Sequence, residues 1–202
     1  MAGAVLIAAF AAFCVCRRST ADTILDVSDR PWEACADCHG LEGVSATAHF
    51  PKLAGQKRAY IEKELRDFRS GARANDNGQM SGIADFSDRA LELAADYFSR
   101  LPAPPSNGGR GKASARARAI VEAGRPGAGI VACRFCHDAR ADTAPWLEAQ
   151  HAGYLAKELR DFKSGARTND QIMSDIARRL SEEDIDQLAA YLEASPRIGA
   201  AP

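Results

Sequence analysis

A stretch of 17 residues occurs twice in this chain. Tyr60 to Asp76 returns 94 positions later as Tyr154 to Asp170, with 13 of the 17 residues identical. The same offset pairs Pro51, Leu53 and Gln56 with Pro145, Leu147 and Gln150, and Ser87, Ala95 and Tyr97 with Ser181, Ala189 and Tyr191. Self-similarity of this kind marks one structural unit duplicated in tandem, so any acceptable fold must be built twice. The 202 residues suffice for two small domains, taking roughly 100 residues per domain as the prior. Residues 102–112 are rich in Pro and Gly and read as the linker. This places the domains at 22–101 and 113–197.

Each copy predicts helices. Ile61, Leu65 and Phe68 fall at i, i+4 and i+7, as do Leu155, Leu159 and Phe162, which is one apolar stripe of a 3.6-residue period. Glu, Lys, Arg and Asp occupy the other face, with Glu62–Arg66 and Lys63–Asp67 spaced to pair at i, i+4. Gly71 and Gly165 are expected C-caps, and Ser87 and Ser181 expected N-caps of a last helix in each copy. No run alternates as a strand would. The expected fold class is all-α, twice over.

The chemistry lies in Cys35-Ala-Asp-Cys38-His39 and Cys133-Arg-Phe-Cys136-His137. C-x-x-C-H is the attachment signature of c-type haem. Two thiols about one helical turn apart can reach the two vinyl groups of one porphyrin, and the following histidine projects an imidazole nitrogen at the iron. A zinc ribbon would space its cysteine pairs by roughly 12–20 residues, whereas 94 residues separate Cys38 from Cys133. A thioredoxin-like dithiol requires a β-α-β setting, which is missing from the pattern. Two haems, joined to Cys35, Cys38, Cys133 and Cys136, are therefore expected.

The second axial position of each iron needs a ligand. Besides Met1, the methionines are Met80 and Met173, in loop-like sequence just beyond the repeated block of each copy. Their correspondence points to His39 with Met80 and His137 with Met173. His49 and His151 have no such correspondence, because the offset carries His49 to Thr143 and His151 to Lys57. They read as surface or helix-capping residues. Histidine–methionine ligation raises the reduction potential and leaves no open site for a substrate. That favours electron carriage over catalysis, with no small-molecule substrate and no catalytic residue. A carbonyl at Pro51 and at Pro145 is expected to hold the second nitrogen of each histidine ligand. Tyr60, Tyr154, Trp32 and Trp146 are candidates for the walls of the haem crevices or for the core.

A net charge of −1 excludes a nucleic-acid partner read from charge. Haem c is attached outside the cytoplasm, so an export signal is expected. Ala2 to Val15 is apolar and shorter than the roughly 20 residues of a membrane span. Cleavage is expected after Ala21, giving a signal peptide over 1–21. Arg17 and Arg18 follow the apolar run instead of preceding it, so retention as a membrane anchor is the alternative.

The pattern resembles the di-haem class I cytochromes of the cytochrome c4 family. The shared residues are Cys35 to Gly40 with the haem signature, Phe50 to Gln56, the block from Tyr60 to Asp76, and Met80 before Ser-Gly-Ile-Ala, and they extend over nearly all of residues 30–195. The resemblance implies two class I cytochrome domains about a pseudo-twofold axis. It also implies two covalent haem c groups and a periplasmic carrier passing electrons between membrane complexes, for example towards a terminal oxidase. Asp138 departs from the glycine seen at Gly40, and the path from histidine to proline is four residues shorter in the second copy. The short run before Cys35 resembles instead the cytochrome subunit of flavocytochrome c sulfide dehydrogenases. An electron-accepting subunit of a dehydrogenase is accordingly the alternative function. In either case the partners are redox proteins.

Overall fold

The computed structural model describes residues 30–107 and 114–197. Among them there is no strand, and eight α-helices divide evenly between the copies. The first copy contains α1 (Trp32–His39), α2 (Arg58–Ser70), α3 (Gln79–Ile83) and α4 (Asp88–Arg100). The second contains α5 (Ala115–Ala123), α6 (Ala152–Ser164), α7 (Gln171–Arg178) and α8 (Glu182–Ala194). The signal-peptide residues, and the part of the linker at 108–112, lie outside the described residues. Among the described helices none is long and apolar enough to cross a membrane.

The helix limits follow from the sequence. Ser87 and Ser181 cap α4 and α8 by accepting the amides of Ala90 and Asp184. Gly71 and Gly165 end α2 and α6 at φ 76° and 85°, in the left-handed region where a side chain is unfavourable. The pairs Lys63–Asp67 and Glu62–Arg66 form at 2.6 and 3.5 Å.

Each copy has its own core. In the first, Ile61 and Leu65 of α2 pack with Leu91, Ala95 and Phe98 of α4. In the second, Leu155 of α6 packs with Ile185, Leu188 and Leu192 of α8 and with Ile120 of α5. These cores are small, as expected for units of about 80 residues.

Two expectations need correction. Met80 and Met173 are helical, on α3 and α7. Asp170 caps α7 by accepting the Met173 amide at 2.9 Å, and Asp76 accepts the Met80 amide. An aspartate that accepts a free amide of the first turn favours a helix in sequence that otherwise reads as a loop. The polar face of the repeated helix is also only partly solvated. Glu64 and Glu158 are buried at 7% exposure each, because the other copy covers them.

That covering is reciprocal. The Gln56 side chain donates to Trp146 O at 3.0 Å and accepts the Trp146 amide at 2.8 Å. Its counterpart Gln150 donates to Lys52 O and accepts the Lys52 amide, both at 2.9 Å. Residues 52 and 56 of one copy thus meet 150 and 146 of the other, the exchange a twofold axis demands. Beneath these bonds, Arg73 binds Glu64 and Glu158 at 2.5 and 3.0 Å, and Arg167 binds Glu158 and Glu64 at 2.7 and 2.8 Å. Asn75 donates to Glu158 and Asp161, and Asn169 to Glu64 and Asp67. Each arginine thus pairs with the glutamate of its own copy and again with that of the other, and the four charges form one buried cluster across the boundary.

Candidate functional site

α1 carries the whole first motif, so Cys35, Cys38 and His39 lie along little more than one turn of helix. In the second copy Cys133 opens a 3-10 turn over Cys133–Phe135, Cys136 caps it and His137 follows, after α5 has ended at Gly124. None of these four cysteines is in a disulfide, so all are available for thioethers.

Both histidines are buried, at 5% and 8% exposure. The Nδ1–H of His39 donates to Pro51 O at 2.9 Å, and that of His137 donates to Pro145 O at 2.8 Å. A carbonyl can only accept, so this bond fixes the tautomer and leaves the lone pair on Nε2. Burial lowers both imidazole pKa values against the opposing effect of the proline carbonyls. Each ring is therefore a neutral, oriented donor. The four-residue difference between the His39–Pro51 and His137–Pro145 paths is absorbed in the loop without changing this bond.

Met80 lines the same crevice, of about 1350 Å³ including its open mouth, as Cys35, Cys38 and His39. Leu53, Ile61, Leu65 and Phe68 line it, and it continues past the boundary between copies to Trp146 and Leu147. Two thiols, one imidazole with a free Nε2 and one thioether on an apolar cleft fit a haem c and its iron. They do not fit zinc. Among the described residues no three His, Cys, Asp or Glu side chains converge as a metal cage.

Of the aromatic candidates, Tyr60, Tyr154 and Trp146 border the crevice. Trp32 does not line it, and stacks on Tyr97 with ring centroids 4.7 Å apart. His49 is an exposed residue resting edge-on against Phe50. His151 departs from the sequence reading. Its backbone is the N-cap of α6, but its side chain makes no cap bond and instead crosses to Ser45 of the first copy. The charged pairs Arg73–Glu64 and Arg167–Glu158 were missed as functional groups. The signal was in the repeat, because Arg-x-Asn-Asp follows the capping glycine in both copies.

No family model matches the chain. The cytochrome c4 of Azotobacter vinelandii is 36% identical over 176 residues, which covers 79% of this chain and 83% of that protein. The thiosulfate dehydrogenase electron acceptor of Stutzerimonas stutzeri strain A1501 is 35% identical over 167 residues, covering 78% and 77%. Among solved structures, that of reduced recombinant cytochrome c4 from Pseudomonas stutzeri matches with a TM-score of 0.74 at 33% identity, covering 84% of this chain and 97% of that one. The duplicated helical unit, the paired haem signatures and these likenesses agree: the chain belongs to the cytochrome c4 family, electron-carrying proteins with two covalently bound haem c groups.

Proposed function

We propose that His39 with Met80, and His137 with Met173, are the axial ligands of the two irons, and that Cys35, Cys38, Cys133 and Cys136 form the thioethers. The observation that carries this reading is the imidazole–proline carbonyl bond, made at 2.9 Å in one copy and 2.8 Å in the other. A buried imidazole held at Nδ1, with Nε2 left free in both copies, is what an iron ligand needs. Haem c supplies one-electron exchange between ferric and ferrous iron. The protein's own part is to hold the imidazoles, place the methionines and keep water from the apolar crevice. The domains are assigned to 22–101 and 113–197, joined by 102–112. The protein is placed in the periplasm as a carrier between membrane redox complexes, exported by residues 1–21, which stay as a membrane tether if they are not cleaved.

Replacing each methionine by histidine tests the ligands. Met80→His and Met173→His should each lower one reduction potential and leave the other in place, because histidine is the stronger donor to ferric iron. Unchanged potentials in both variants would overturn the assignment.

A second reading has its own support. The likeness to a thiosulfate dehydrogenase electron acceptor is nearly as extensive as that to cytochrome c4. Phe135, within the second haem signature, is 73% exposed, and Ile172, beside Met173, is 65% exposed. Apolar side chains left in water suit a partner protein. Stable co-purification with a dehydrogenase from the native host would favour this reading, and a lone di-haem chain would favour the free carrier.

A further inference from the structure

Positions 57 and 151 correspond in the duplication, and each is the N-cap residue of its long helix. Each side chain also crosses to the loop that follows the other copy's haem signature. Lys57 Nζ donates to Asp138 O, next to His137, and to Ala141 O at 2.7 Å, and lies 4.6 Å from the centre of the Trp146 ring. His151 Nε2–H donates to Ser45 O at 3.1 Å and to Ser45 Oγ at 3.0 Å. The contact is shared by the two copies, while the chemistry differs: a lysine is set beside the second site and an imidazole beside the first.

We propose that Lys57, carried by the first domain, raises the reduction potential of the second domain's haem. This inference rests on the ligand assignment above. Reduction adds one negative charge to the centre, so a nearby cation stabilises the reduced form, and the effect is strongest where water is excluded. The amine is held in place by two carbonyls and an indole face. Burial works against its charge, and Asp138, Asp142 and Glu148 support it, with Arg197 opposing. Lys52 points its amine across the boundary at Ala149 O, near Glu193 and Arg197, and Lys157 points at Asn75 O and is paired with Asp161. Tuning of one haem by a residue of the other domain makes the interface part of the redox design.

The test is a redox titration of the holoprotein, with the two waves told apart by Met80→His and Met173→His. Lys57→Gln should lower the Met173-linked wave by roughly tenfold in its one-electron equilibrium constant, about 59 mV, and leave the Met80-linked wave in place. Lys57→Arg, which keeps the charge, should restore it. His151→Lys should raise the Met80-linked wave. Equal shifts in Lys57→Gln and Lys57→Arg would make the effect one of loop geometry and overturn the proposal, as would a Lys57→Gln variant with neither wave moved. If the methionine variants themselves move no wave, the ligand assignment fails, which is a different result.

Discussion

The last helices of the two copies begin differently. In the first copy Ser87 alone caps α4, and position 90 is an alanine. In the second, Ser181 and Asp184 form a full capping box on α8, and the Asp184 carboxylate, with no exposed side-chain surface, also binds Arg116 at 2.6 Å and Arg125 at 3.1 Å. Those two bonds tie α8 to α5 and to the turn after it. The face between the copies behaves in the opposite way. Gln56 and Gln150, Glu64 and Glu158, Arg73 and Arg167, Asn75 and Asn169 are the same residue types making the same bonds. Each of these contacts is made twice across the boundary, so one residue type serves both copies, whereas Lys52 and Trp146, and Lys57 and His151, differ although they also face the other copy. Residues turned away from the axis could diverge separately.

The sharpest way to break this comparison is at the shared face. Arg167→Leu leaves Glu64 and Glu158 short of a partner in a buried site, which should cost about 3–5 kcal/mol in chemical denaturation of the holoprotein. A loss below ~1 kcal/mol would mean that the cluster is effectively solvated. The outer ends give the next effect. Asp184→Asn should destabilise the second copy by about 1.5–3 kcal/mol, the range for hydrogen bonds to a charged group.

That second loss has a pH signature. The Arg116 bond leads in holding the Asp184 carboxyl well below the usual carboxylate range. A depressed folded-state value gives stability that is complete above the unfolded value, about 3.9. It disappears as the pH falls through the lower, folded value. The difference between the wild type and Asp184→Asn should therefore shrink only under strong acid. Were it to vanish near neutral pH, the charge would not be its source.

Two smaller effects sharpen the contrast. Ser87→Ala removes a lone cap and should cost about 1 kcal/mol, whereas Ser181→Ala should cost more, because it also breaks the box with Asp184. Thermal unfolding of the two variants side by side measures the gap, and equal losses would show that the box adds nothing. Glu62 has Ala156 as its counterpart, so Glu62→Ala makes the first copy more like the second. Its pairs with Arg58 and Arg66 lie on the surface, and the change should stay within roughly 0.5 kcal/mol.

The sequence was most legible where the physics is local. The stripe of Ile61, Leu65 and Phe68, the caps at Ser87 and Ser181, and the glycines at the ends of α2 and α6 depend on neighbours within a few residues, and the structure has them as expected. The haem signatures were legible for the same reason, since covalent chemistry sets their spacing. What escaped notice depends on the second copy. Glu64 looks like an ordinary surface glutamate on its own helix and becomes a buried ion only when Arg167 arrives from 103 residues away. His151 looked like a cap until Ser45 came within reach across the boundary. The helical setting of Met80 and Met173 was hidden because Asp76 and Asp170, which accept the two methionine amides, were not read as signals of a helix start.

The most direct test is a crystal structure of the mature holoprotein with anomalous data at the iron edge. Two iron positions are expected, one bonded by His39 Nε2 and Met80 Sδ and the other by His137 Nε2 and Met173 Sδ. An iron bound instead by His49 or His151, or by only one of its two assigned side chains, would contradict the account.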